Sequence, residues 1–124
     1  MVNILLSNLE TQNYILKVPF LNQCIKIIVD FCYPEMILLF GSFARGEAGL
    51  NSDLDLLILK KDLAKENERE LTKQLYREFL NHDLDIAKDV MIMNYERYFK
   101  LYNVNGYIYN TVREEGIVVY ETLY

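Results

Sequence analysis

The residues best suited to chemistry lie between positions 41 and 55. They read Gly41-Ser42-Phe43-Ala44-Arg45-Gly46 and then Ser52-Asp53-Leu54-Asp55-Leu56-Leu57-Ile58-Leu59. Asp53 and Asp55 stand two apart at the head of an apolar run, and strand residues i and i+2 point to one face. Their Cα atoms are then about 6.5–7 Å apart. Two bare carboxylates at that spacing repel each other. A hard divalent cation relieves the repulsion, and Mg²⁺ prefers oxygen ligands shared with substrate phosphates. Upstream, the apolar run Met36–Phe40 delivers the chain to Gly41, where a glycine lets the backbone approach a ligand. Ser42 follows at the start of a short helix, where free N–H groups and a hydroxyl suit a triphosphate.

A two-metal phosphoryl-transfer site wants a further carboxylate. Lys88-Asp89-Val90-Met91-Ile92-Met93 offers one, because Asp89 opens an apolar run as Asp53 does. If the two strands are neighbours, Asp89 faces the same cleft. Asp85 has the same strand parity and is the alternative, while Asp83 lies nearer a helix end.

These groups need a scaffold, and the hydrophobic pattern supplies one. After Pro19, residues Phe20, Leu21, Cys24, Ile27, Ile28, Phe31 and Cys32 recur at helical spacing until Pro34 ends the helix. Met36–Phe40 is a buried strand. Positions 41–52 form a loop with one short helix, and 54–59 a second buried strand. Positions 63–80 are an amphipathic helix rich in Glu, Lys, Gln, Leu and Arg. Positions 89–93 are a third strand, 95–102 and 107–115 short helices, and 117–120 a final strand after Gly116. That order describes an α/β (α+β) fold, a small mixed β-sheet with helices packed on one face.

Length and charge bound the partners. A chain of 124 residues is expected to form one domain, 1–124, with its signature core at 36–94. The net charge of −5 weighs against loose binding to a nucleic-acid polymer, which needs surplus Lys and Arg. It is compatible with one nucleotide whose charge Mg²⁺ offsets. Cys24 and Cys32, eight apart on one helix, sit about 12 Å apart. A disulfide needs Cα atoms within about 7 Å, so both read as core thiols in a reducing cytoplasm. No apolar run approaches a membrane span, and the N-terminus lacks the pattern of a signal peptide, so a cytoplasmic protein is expected. His82 reads as a solvated cap, and Lys60 and Lys61 as a solvated loop. Tyr95, Tyr98, Tyr102, Tyr107 and Tyr109 cluster, and they read either as core-edge packing or as a partner surface.

The pattern Gly41-Ser42, ten intervening residues and Asp53-x-Asp55 resembles the signature of the DNA polymerase β-like nucleotidyltransferase superfamily. The fuller string, from Gly41 to Gly46 and from Ser52 to Leu56, resembles its minimal nucleotidyltransferase branch. The likeness continues through Asp89-Val90-Met91-Ile92-Met93 into Tyr98 and ends with Glu114-Glu115-Gly116-Ile117-Val118-Val119-Tyr120-Glu121. Lys88 departs from it, standing where such proteins usually carry a small or apolar residue. The resemblance implies that Gly41 and Ser42 contact the triphosphate and that Asp53 and Asp55 hold two Mg²⁺ ions. It implies that Asp89 completes the first metal site and orients or deprotonates an acceptor hydroxyl, and that Arg45 stabilises phosphate charge. The implied reaction is attack of that hydroxyl on the α-phosphate of ATP or another nucleoside triphosphate, with release of pyrophosphate. The implied partner is a HEPN-domain ribonuclease toxin, which the protein would restrain as an antitoxin by moving AMP to a toxin tyrosine. Two alternatives stand beside it: a non-catalytic binding antitoxin, and a small-molecule nucleotidyltransferase working as a homo-oligomer.

Overall fold

The computed structural model describes residues 18, 20–49, 52–84, 88–101 and 114–122. Helix α1, Leu21–Cys32, buries Leu21, Cys24, Ile25, Ile27, Ile28, Val29 and Cys32. Phe20 stays half exposed at its start. The helix stops because Tyr33 turns to a left-handed φ of 51° and donates its N–H to the Val29 carbonyl. Pro34 cannot continue the helix. Strand β1, Met36–Phe40, follows, and then the single-turn helix α2, Gly41–Arg45. Strand β2, Leu54–Lys60, helix α3, Lys65–Asn81, and strand β3, Lys88–Asn94, complete a crossover unit. Helix α4, Tyr95–Leu101, and strand β4, Ile117–Glu121, come last. The helix expected over 107–115 is described only at Glu114 and Glu115, which are helical. Pro19, Asp85, Tyr102, Tyr107 and Tyr109 lie outside the described residues.

The four strands form one mixed sheet in the order β3-β2-β1-β4. β1 is antiparallel to β2 and to β4, whereas β2 and β3 run parallel. A parallel pair needs a crossover of a dozen or more residues, and α3 provides it. One face, carrying Ile37, Leu39, Leu54, Leu56, Ile58, Val90, Ile92 and Val119, packs with α1 and with Leu75 and Phe79 of α3. The two long helices share one face, as expected of the helices, whereas the short helix α4 departs from that expectation and lies on the other. The other face carries Leu38, Phe40, Leu57, Leu59 and Met93, and Tyr98 of the short helix α4 packs there. Burial on both faces explains why Leu56 to Leu59 is apolar without alternation. Tyr98 and Tyr120 are core residues, while Tyr95 lies 5.0 Å from the Lys61 ammonium. Cys24 and Cys32 are buried and free, and burial pushes both thiols up to about 11. No described helix is long and apolar enough to cross a membrane.

β3 forms one edge of the sheet, and an open edge is a template for unwanted pairing. Here α3 seals it with side chains. The Val90 N–H donates to the Tyr76 hydroxyl at 2.8 Å, and the Ile92 N–H to Thr72 Oγ1 at 3.2 Å. The Asn94 N–H donates to the Glu68 carboxylate at 2.8 Å. The match is geometric: four helical residues advance about 6 Å and two strand residues about 6.6 Å. Glu68 also receives the Arg97 guanidinium, and Asn94 Oδ1 accepts the Arg97 N–H at the start of α4.

Thr72→Val keeps the shape but leaves the Ile92 amide without its acceptor. Urea denaturation should show a loss of about 1–2 kcal/mol.

Candidate active site

Strand β1 ends beside the carboxylates, because Phe40 is the cross-strand partner of Asp55. Gly41 comes next with a left-handed φ of 74°. A Cβ at Gly41 would overlap the Asp55 carboxylate. The glycine is therefore required twice, once by the backbone turn and once by the acid packed against it. Helix α2 ends at Gly46, also at φ 74°, and the Glu47 N–H returns to the Ser42 carbonyl at 2.9 Å. Ser52 closes the loop: its hydroxyl accepts the Gly49 N–H at 2.8 Å, and its own N–H donates to the Gly49 carbonyl at 3.2 Å.

Asp55 and Asp89 are direct partners in the parallel register of β2 and β3, so their side chains leave the sheet at one level and on one face. It is the face of Leu57, Leu59 and Met93, opposite the two long helices. Asp53 precedes Asp55 by two and is exposed at the strand entrance, while Leu54 and Leu56 are buried in the opposite core. The structure thus brings together all three predicted carboxylates. Asp83 lies apart, in the turn after α3 with a φ of 54°. Alternation also accounts for Lys88. It points to the helix side, where its ammonium donates to the Leu84 carbonyl at 3.1 Å and lies 4.9 Å from the Phe79 ring centre. The departure from the resemblance therefore leaves the acidic face untouched.

Electrostatics follow from this crowding. Asp55 is half-buried, and desolvation raises its pKa above the usual carboxylate value. The charges of Asp89 and then Asp53 raise it further, and Arg45 opposes them. Arg45 itself is held by Glu47 at 3.0 Å and by Glu115 at 2.9 Å, and these hydrogen bonds push its pKa up. The phosphate-binding arginine of the sequence reading is therefore an ion-paired residue in this state, within the field of Asp55.

Two residues escaped the sequence reading. Glu115 pairs with Arg45 across the fold, and nothing local in the sequence signals that contact. Tyr76 holds Val90, next to Asp89; its pKa is raised by burial first and then, after an opposing backbone hydrogen bond, by the charges of Asp89, Asp53 and Asp55. The polar series Glu68, Thr72, Tyr76, spaced by four on α3, was the available signal.

The donor set is all carboxylate oxygen, and its half-buried member Asp55 is penalised when charged, which suits a hard divalent cation. Among the described residues, no three His, Cys, Asp or Glu side chains converge closely enough to hold one ion between them as they stand.

Residues 22–122 match the family model described as polymerase beta, nucleotidyltransferase. The chain belongs to that family and is a nucleotidyltransferase. No curated protein matches it. Among solved structures it is similar to a toxin–antitoxin crystallised with AMP-PNP, at 26% identity and a TM-score of 0.54, over 82% of this chain and 73% of that one. It also resembles a Sulfolobus solfataricus protein assigned as a nucleotidyltransferase, at 16% identity and a TM-score of 0.57, over 86% and 82% of the two chains. A third similar structure is a mutant of the toxin–antitoxin MntA–HpeT, at 24% identity and a TM-score of 0.50, over 82% and 73%. The last two likenesses concern the fold alone.

Two outcomes follow for the isolated protein. Gly41→Ala should lose about 1–2 kcal/mol in urea denaturation, because the left-handed turn disfavours a side chain and Asp55 must move. Asp55 opposes folding when charged, since its pKa is higher folded than unfolded. Asp55→Asn should therefore be more stable than the wild type at pH 7 without divalent ions. The difference should shrink as pH falls through the raised Asp55 pKa and vanish below the ordinary aspartate value. Denaturation curves at stepped pH measure this.

Proposed function

We propose that the protein moves a nucleoside monophosphate, AMP from ATP, onto a hydroxyl acceptor with Mg²⁺ as cofactor. The observation that carries the reading is the register of Asp55 against Asp89, with Asp53 beside them and Gly41-Ser42 at the adjoining strand end. Asp53 and Asp55 would hold two Mg²⁺ ions and Asp89 would complete the first site; the ions would neutralise the triphosphate and the charge developing on it. Gly41 and Ser42 bind the triphosphate through backbone and hydroxyl, and Arg45 stabilises phosphate charge. Asp89 orients the acceptor hydroxyl and accepts its proton. The acceptor oxygen then bonds to the α-phosphorus as the bond to pyrophosphate breaks. Positioning and charge neutralisation carry the acceleration.

The acceptor in this reading is a tyrosine of a HEPN-domain ribonuclease toxin, so the protein acts as an antitoxin in the cytoplasm. Three things support it: the similarity to a toxin–antitoxin structure with AMP-PNP; the exposure of Asp53 and Asp89, which leaves room for a macromolecular acceptor; and a net charge that disfavours a nucleic-acid polymer.

The test incubates the protein with Mg²⁺, ATP labelled at the α-phosphate and the HEPN-domain protein encoded beside it. Label should appear on a toxin tyrosine, depend on Mg²⁺, and fall at least about 100-fold with Asp53→Ala/Asp55→Ala. No transfer by the wild type, with toxin still neutralised by the double variant, would leave a binding antitoxin instead.

A further inference from the structure

The sealed edge of β3 places one α3 side chain next to the acidic face. Tyr76 is half-buried on α3, with its ring packed near Phe79 at 6.4 Å between centroids. Its hydroxyl accepts the Val90 N–H at 2.8 Å and reaches back to the Val90 carbonyl at 3.5 Å. That N–H belongs to the peptide joining Asp89 to Val90. Edge residues of a sheet lack a second strand to fix their peptide planes, and among the described residues β3 has a neighbouring strand only on the β2 side. At Thr72 and Glu68 the same sealing holds the strand farther along, at Ile92 and Asn94. At Tyr76 it holds the peptide whose Cα carries the carboxylate opposite Asp55.

The geometry points to Tyr76 as a positioning residue for Asp89: its hydroxyl clamps the Asp89–Val90 peptide and so fixes where the third carboxylate presents itself to Mg²⁺ and acceptor. The inference rests on the proposed nucleotidyl transfer for its setting. Its logic is that of the outer shell of a metal site, where the groups that orient ligands tune affinity without touching the ion. Thr72 is the natural control, since it makes the same kind of bond two strand residues away from Val90 and from the carboxylates. Loss of either hydroxyl leaves one edge amide unpaired, so a purely structural role predicts similar behaviour from both variants.

The experiment compares Tyr76→Phe and Thr72→Val in the full chain. Four quantities are measured: thermal unfolding, Mg²⁺ affinity by calorimetry with AMP-PNP present, and kcat and KM for nucleotide transfer. Tyr76→Phe is expected to weaken Mg²⁺ binding about 10-fold and lower kcat to a similar degree, with KM for ATP little changed. Thr72→Val should lose stability alone. Equal Mg²⁺ affinity in wild type and Tyr76→Phe overturns the proposal, as does an equal loss in both variants. If Tyr76→Phe does not fold, 3-fluorotyrosine in place of Tyr76 keeps the hydroxyl but weakens it as an acceptor. It should shift Mg²⁺ affinity in the same direction by a smaller factor, and no shift overturns the proposal. A wild type that binds Mg²⁺ yet transfers nothing defeats the activity reading only, because Tyr76 is still judged on the affinity ratio. A wild type that binds no Mg²⁺ defeats both.

Discussion

The pairing of β2 with β3 sets Asp55 directly across from Asp89, and much of the structure follows from that like-charge contact. Asp53 adds a third carboxylate at the strand entrance. A sheet tolerates such a cluster only if the strands are held by something stronger than the local repulsion. Leu56, Leu57, Ile58 and Leu59 supply it, all buried and packed on both sides of β2. Each fully buried leucine or isoleucine contributes about 1.5–3 kcal/mol, which outweighs a repulsion partly screened by solvent. The charged end and the greasy remainder of one seven-residue strand are thus opposite sides of one balance.

The same balance explains the surroundings. Gly41 has no side chain because Asp55 occupies the space one would need. Arg45 lies close enough to lower the Asp55 pKa but spends its hydrogen bonds on Glu47 and Glu115. The net result is an acidic face on which Arg45, the cation that moderates Asp55, is already shared with two other carboxylates. Such a face favours a small, highly charged cation over another side chain.

Much of this was legible beforehand. The strand at Leu54–Lys60 and the helix at Lys65–Asn81 follow from apolar runs and helical period, signals that depend on neighbours in sequence. Asp53 and Asp55 were legible for the same reason. Asp89 needed an assumption that β3 lies beside β2, and pairing supplies what spacing could not. Glu115 was invisible because its partner, Arg45, is remote in sequence; Tyr76 was marked only by the spacing of four it shares with Glu68 and Thr72, which does not name Val90 as its partner. Lys88 looked discordant only while strand parity was unknown; the alternation of side chains sends it to Phe79 and the Leu84 carbonyl.

The parallel join of β2 to β3 also governs how the molecule comes into being. Asp89 reaches Asp55 only after the whole of α3 has crossed over, so the acidic cluster is a long-range contact and pays its loop-closure entropy early. Helix α3 can gather locally, but the edge it seals does not exist until β3 has docked. Electrostatic repulsion then acts on the docking step itself, and dissolved salt should ease that step more than the formation of any helix. The acidic face is thus a property of the completed chain and of no local piece of it.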